Sequence, residues 1–326
     1  MTNSNPSYSV GADQAKEQRL DRLQTFHNYL RYERNLSQRT LDSYRDDLED
    51  FETMLKQEAP DVTWDALDAD LIRQWVMVMM DRGNKATSVN RRLSALRTFF
   101  KFLLRRGYVT VDPAHTIVGP KKEKVLPSYV RDSEMDRLLD GDLFPEGYTG
   151  VRDRTILLTL YSAGLRASEL TGLRVKDVEM ESMQLRVTGK RNKQRILPFG
   201  EEMHAQLEQY LQAREQLLKQ QGGESEALFL NERTQSPLDY RRLRVMVKKY
   251  LTLATTAKKK SPHTLRHTFA TSMLNHHADL RSVKELLGHE SLATTEIYTH
   301  TSFADLQNAY QMAHPRAVRN DEEEGK

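Results

Sequence analysis

Apolar residues recur at spacings of three and four through Leu20, Leu23, Phe26 and Leu30, and again through Leu41, Tyr44, Leu48, Phe51 and Leu55. That period lays one apolar stripe along each of two helices, and Ser37 stands ahead of the second as its N-cap. A third helix is predicted through Leu67, Leu71, Trp75 and Val78 to Gly83, and a fourth through Val89, Leu93, Leu96, Phe100 and Leu103 to Gly107. Glycine suits the left-handed residue that ends a helix. Four amphipathic stripes can be buried only against one another, so residues 14–107 are predicted to form a compact four-helix domain. The polar stretch 1–13 ahead of it is predicted to be a disordered tail.

Periodicity lapses at 108–128, where Pro113, Pro120 and Pro127 flank a basic cluster, and this stretch reads as an interdomain linker. A second domain is predicted over 129–317. Helical patterning covers 133–140 and 151–163, and then 183–188 and 194–199 alternate apolar and polar residues around Gly189-Lys190-Arg191-Asn192-Lys193. Alternation on both sides of a glycine-containing turn is a β-hairpin, here with a cationic tip. Helices resume at 201–221, 240–253, 262–275 and 282–288. Phe303, Leu306, Ala309 and Tyr310 give one more short amphipathic helix, and 318–326 forms an acidic tail. The predicted fold is mainly α, with a small β-sheet confined to the second domain.

The 326 residues, 38% hydrophobic and 29% charged, suit two soluble domains with separate cores. Cysteine is absent, which removes thiol nucleophiles and cysteine-ligated zinc and fits a reducing, cytoplasmic setting. The apolar run at 75–80 is far short of the roughly 20 residues that cross a bilayer, so no membrane role is expected. Net charge is only +3, and its placement says more than its size. Residues 84–107 hold Lys85, Arg91, Arg92, Arg97, Lys101, Arg105 and Arg106 with no acid. An acid-free cationic segment favours contact with phosphates over an ordinary solvated face. Lys85, Arg91, Arg92 and Arg97, with Lys121 and Lys122 of the linker, are the candidate DNA contacts.

Four short motifs carry candidate chemistry: SAGLRASELTGL with Arg166, VTGKRNKQRILPF with Lys190, SPHTLRHT with His263 and Arg266, and ELLGHESLATTEIYTH with His289 and Tyr298. Phosphodiester exchange through a covalent intermediate needs a nucleophile, neutralisation of the non-bridging oxygens and a proton donor for the leaving oxygen. Arginine suits the clamp, because its planar fork stays charged and bonds two oxygens at once. Glu169, one turn after Arg166, is placed to orient that guanidinium or to cap the helix 167–172. Ser261-Pro262 reads as an N-cap followed by proline at the first helical position. His263 and Arg266 then share a face near the free N–H groups of the opening turn. His263 and His267 also have the spacing of helical zinc ligands, but Thr264 stands where a zinc peptidase has glutamate.

Lys190 at the hairpin tip has the reach to enter a groove and protonate a leaving oxygen. His289 follows the helix-stopping Gly288, on a turn from which it can hydrogen-bond a phosphate. Tyr298 needs nearby cations or a proton acceptor to attack, because a free phenol ionises only near pH 10. Each residue alone is ordinary, and their weight comes from appearing together.

In order and spacing these motifs resemble the tyrosine recombinase (phage integrase) family, and most closely its Xer branch. Arg91-Arg92-Leu93-Ser94-Ala95-Leu96-Arg97 resembles the fourth core-binding helix of Xer recombinases, and His314-Pro315-Arg316-Ala317 their C-terminal signature. The resemblance spans roughly 17–317. It implies a SAM-like core-binding domain joined to a mainly helical catalytic domain, the two closing on DNA. Arg166, Lys190, His263, Arg266 and His289 match the family's assisting residues, and Tyr298 its nucleophile, which forms a 3′-phosphotyrosyl link. Arg191 departs from the glycine common at that turn.

No cofactor or metal is implied. The implied partners are duplex DNA at a specific site and a homo- or hetero-tetramer of recombinases. A second Xer protein and a DNA translocase activator belong to the same picture, with chromosome dimer resolution at a dif-like site as the role. The helix at 303–310 is expected to be donated to a neighbouring protomer. An integrase of a mobile element would use the same chemistry. A nicking-and-resealing topoisomerase and an architectural DNA-binding protein without chemistry are the alternatives from other classes.

Overall fold

The computed structural model describes residues 11–122, 128–189, 192–288 and 303–317. The chain divides into two compact units, Met1–Val125 and Leu126–Lys326.

In the first unit, α1 (Ala12–Asn28) runs into a π-helical turn (Tyr29–Glu33), followed by α2 (Gln38–Glu58), α3 (Ala69–Asp81) and α4 (Ala86–Arg105). Helix begins at Ala12, so the last two residues of the expected tail are helical. The apolar stripes meet as expected, with Phe26, Leu48, Phe51, Trp75, Leu96 and Phe100 buried. Ser37 caps α2 by accepting from the Thr40 N–H. Trp64, outside any helix, packs edge-on against Phe99 and donates its indole N–H to the Arg19 carbonyl. Arg19 is itself fully buried, and a buried guanidinium needs partners on all sides. Glu52 supplies the counter-charge at 2.8 Å, and the Pro60 and Val62 carbonyls accept the remaining donors.

The stretch expected as linker opens by packing on this bundle, because Val109, Ala114 and Ile117 join its core. Arg97 ties that stretch to α4 through the Ala114 and Ile117 carbonyls, and Asn90 does so through Pro120.

The second unit contains α5 (Asp132–Asp140), α6 (Tyr148–Ala163), α7 (Ala167–Thr171), α8 (Glu201–Gln221), α9 (Tyr240–Ala254), α10 (Pro262–Asn275), α11 (Leu280–Leu287) and α12 (Phe303–Ala313). Its antiparallel sheet has the order β1 (Val178–Glu179), β2 (Gln184–Thr188), β3 (Gln194–Pro198), with Leu185 opposite Leu197. The predicted hairpin is β2–β3, and β1 adds two residues at its edge. Helix α6 is buried nearly all round, as befits a central helix. Its Thr155 and Thr159 hydroxyls are satisfied by carbonyls one turn back.

In the isolated chain helix α12 lies on its own unit, and its donation to a neighbour in an assembly is a separate question that a single chain does not test. Tyr310 and Ala313 are buried in the core of the second unit and Leu306 packs against it. Just beyond, the His314 ring is buried against Tyr310, Tyr161 and Phe269. Burial holds its pKa down to about 3, so the ring is neutral at neutral pH. Arg316 then reaches Asp136, Asp140 and Glu202 at 2.9, 2.7 and 2.6 Å. An apolar stripe followed by a neutral ring and a triply paired arginine gives this segment partners within its own chain.

Tyr310→Ala should therefore weaken the second unit by about 3–5 kcal/mol, the usual range for removing a large buried aromatic side chain. Equilibrium denaturation of the intact chain measures this, and a loss below about 1 kcal/mol would mean that α12 is not held there.

Candidate active site

Gly164 ends α6 in the left-handed region, with φ +56. A Cβ there would lie 2.5 Å from the Phe269 ring of α10, so both conformation and space require glycine. The tight turn brings Arg166 to the N-cap of α7 and points the Gly164 carbonyl at α10, where Arg266 donates to it at 2.7 Å.

Glu169, expected to orient Arg166 or to cap α7, does both. Its carboxylate accepts the Arg166 backbone N–H at 2.8 Å and the Arg166 guanidinium at 2.7 Å. It is also bonded by both terminal nitrogens of Arg195 on β3, at 2.9 and 3.0 Å, and lies 3.8 Å from the Arg266 guanidinium. Only 2% of the Glu169 side chain is accessible. Burial alone would raise its pKa, but the hydrogen bonds and charge of Arg195, joined by the backbone and side-chain hydrogen bonds of Arg166, outweigh it and hold the carboxyl below its usual range.

The same three arginines converge on the end of α11. Arg195 Nε donates to the Leu286 carbonyl, Arg266 to Leu287 and Arg166 to Gly288. The last carbonyls of a helix have no partner within it and carry the negative end of its dipole, so cations are favoured there. Gly288 closes the helix at φ +63, as the sequence predicted.

Among the described residues, three guanidiniums and one carboxylate leave a local charge of +2. Arg266, 7% accessible, registers that excess: burial first, then the charge of Arg166, lowers its pKa to about 10. It is still protonated at neutral pH. Arg166 is the open member, with 34% of its side chain accessible. The cluster therefore presents uncompensated positive charge at a place where an anion can approach Arg166.

His263 occupies the opening turn of α10 and is exposed, with Ser261 as N-cap and Pro262 at the first helical position. Lys190, His289 and Tyr298 lie outside the described residues. Two residues that flank them belong to the cluster: Gly288 through its carbonyl, and Gly189, whose Cβ, were it present, would sit 3.6 Å from a Glu169 oxygen. Among the described residues no group of three or more His, Asp or Glu could hold a metal, and no helix is long and apolar enough to cross a membrane.

Of the candidate DNA contacts, Lys85, Lys121 and Lys122 are exposed. Arg91 is exposed yet bonded to the buried Asp47 and to Ser43, and Arg92 to Asp50 at 3.1 Å. Burial raises the Asp47 pKa, against the pull of Arg91 and Arg92. The acid-free run thus faces acids supplied by α2. Arg97 is committed to the chain's own carbonyls. The sequence reading missed Arg195, and also α9, which exposes Arg241, Arg242, Arg244, Lys248 and Lys249 and has no acid of its own.

Residues 128–305 match the phage integrase family, and residues 23–107 match the phage integrase N-terminal SAM-like domain. A tyrosine recombinase XerC of Pelobacter propionicus is 40% identical over 94% of this chain and 99% of its own length. A tyrosine recombinase XerD of Oceanobacillus iheyensis is 37% identical over 90% of this chain and 98% of its own. A crystal structure of XerH site-specific recombinase bound to palindromic difH substrate, a post-cleavage complex, superposes with a TM-score of 0.68. It covers 94% of this chain and 91% of that one at 21% identity, a likeness of fold.

Replacing Glu169 by glutamine removes the one carboxylate that, among the described residues, bonds these guanidiniums, and breaking a buried pair of this kind costs about 3–5 kcal/mol. Because the folded-state pKa of Glu169 is depressed, its contribution to stability is complete above the unfolded-state value near 4.3 and fades as pH falls through the folded value. Denaturation midpoints against pH should show that acid limb in the wild type and a weaker one in Glu169→Gln. Equal stability of the two proteins at neutral pH would contradict the charge assignment.

Proposed function

We propose, since the chain belongs to the phage integrase family of tyrosine recombinases and is an Xer-type site-specific recombinase, that it cuts and rejoins duplex DNA through a covalent bond to Tyr298. The tyrosine gives up its phenolic proton to solvent as its oxygen attacks the scissile phosphorus, the bond to the 5′ oxygen breaks, and Lys190 gives that oxygen a proton. A 3′-phosphotyrosyl link and a free 5′-hydroxyl result. Attack by the partner strand's 5′-hydroxyl reverses the steps and releases the tyrosine, so bond energy is retained and no nucleotide is consumed.

The observation that carries this reading is the arginine cluster. A phosphate in exchange carries negative charge on its non-bridging oxygens, and preorganised cations in a partly buried site stabilise it most effectively. Arg166 and Arg266 are the clamp, with His263 and His289 as hydrogen-bond donors to the same phosphate. The cationic groups outside the cluster, Lys85, Arg91, Arg92, Lys121 and Lys122 together with the exposed face of α9, hold the flanking backbone. Residues 14–107 act as the core-binding domain and 129–317 as the catalytic domain.

We place the reaction in the cytoplasm, on a dif-like site filled by a tetramer of recombinases that includes a second Xer protein. Resolution of chromosome dimers before cell division, triggered by a DNA translocase, is the role this supports. The support is the resemblance to XerC and XerD relatives across more than nine-tenths of their lengths.

Incubation with a nicked suicide duplex bearing a candidate site, followed by a denaturing gel, tests the reaction. Wild type should leave a covalent protein–DNA adduct. Tyr298→Phe should bind the duplex equally and leave none, because it removes the attacking oxygen and little else. A stable adduct from the phenylalanine variant would overturn the assignment.

A further inference from the structure

Arg195 differs from the other two arginines of the cluster in how it is used. Its planar fork is wholly engaged by the protein: both terminal nitrogens bond the two oxygens of Glu169, and Nε bonds the Leu286 carbonyl at 3.1 Å. Arg166 gives only one terminal nitrogen to Glu169 and keeps a third of its side chain accessible. Arg266 only approaches Glu169, at 3.8 Å. The side chain of Arg195 also packs against the end of α11 closely enough that a Cβ on Gly288 would lie 3.2 Å from it. One residue of β3 thereby ties together α7, through Glu169, and the end of α11, through the Leu286 carbonyl.

We infer that Arg195 is a positioning residue for phosphate exchange: it fixes the plane of the Glu169 carboxylate and the end of α11, and through them sets Arg166 and Arg266 against the scissile phosphate. The inference rests on the reaction proposed above. A bidentate carboxylate fixes direction as well as distance, and only a guanidinium can supply it. A lysine at 195 keeps the charge but offers a point donor, so Glu169 would be free to turn and the clamp to shift. Displacements on the order of 1 Å at a phosphate site cost about 10²-fold in rate.

The test compares the intact wild-type protein and Arg195→Lys on two suicide duplexes, one with the natural scissile phosphate and one with a methylphosphonate there. The methylphosphonate removes the negative charge that the arginine clamp must meet. Expected is DNA binding close to wild type and a wild-type-to-variant rate ratio of about 10² on the phosphodiester that falls below about tenfold on the methylphosphonate. Because it is a comparison of ratios, loss of some variant to misfolding scales both substrates equally and leaves the result unaffected. The same ratio on both duplexes, or a variant as fast as wild type, overturns the role of Arg195 while leaving the reaction intact. Absence of any adduct from the wild type on the natural phosphate overturns the reaction and this inference together.

Discussion

The arrangement of the second unit depends on one buried carboxylate. Three guanidiniums crowded together repel, and two unit charges about 4 Å apart at an effective dielectric near 20 do so by about 4 kcal/mol. Glu169 makes the crowding tolerable without cancelling it. It bonds Arg195 through both oxygens, bonds Arg166 through one, and stands close to Arg266. The remaining charge is relieved by carbonyls at the end of α11 and at Gly164. What is left over is positive and directed outward through Arg166, which is the electrostatic condition for receiving a phosphate.

The same contacts couple places far apart in the chain. Arg166 and Gly288 are separated by 122 residues and joined by one hydrogen bond, while Arg195 spans 91 residues to Leu286. Helix α11 ends where the guanidiniums need acceptors, and the chain leaves Gly288 toward His289 and Tyr298 from that fixed point. On the far side of that segment α12 is held by Tyr310, His314 and Arg316. The described residues on either side of that segment are thus held within this chain, Gly288 by the Arg166 guanidinium and Tyr310 by the core.

Much of this was legible in the sequence because it is local. Stripes at spacings of three and four gave the helices of the first unit, alternation around Gly189 gave the β2–β3 hairpin, and Ser37, Ser261-Pro262 and Gly288 marked caps that the structure contains. The arginines of the motifs were legible because they sit in recognisable company. Arg195 was not: it stands in an alternating run beside Gln194 and Ile196, and its partner lies 26 residues away. Two residues of β1 are too few to show alternation. Asp47 and Asp50, which bond Arg91 and Arg92, sit on another helix, so counting charge along residues 84–107 could not reveal them. The stripe on α12 says that the helix is buried but not against which surface, and the anchors His314 and Arg316 act only through tertiary contacts.

A structure of the Tyr298→Phe protein bound to an uncleaved duplex tests the arginine cluster as a phosphate site most directly. It should place non-bridging oxygens of one phosphate within about 3 Å of Arg166 and Arg266 nitrogens, with Arg195 still bonded to both oxygens of Glu169. A duplex bound with those arginines facing only Glu169 and the α11 carbonyls, and the nearest phosphate held elsewhere, would contradict it.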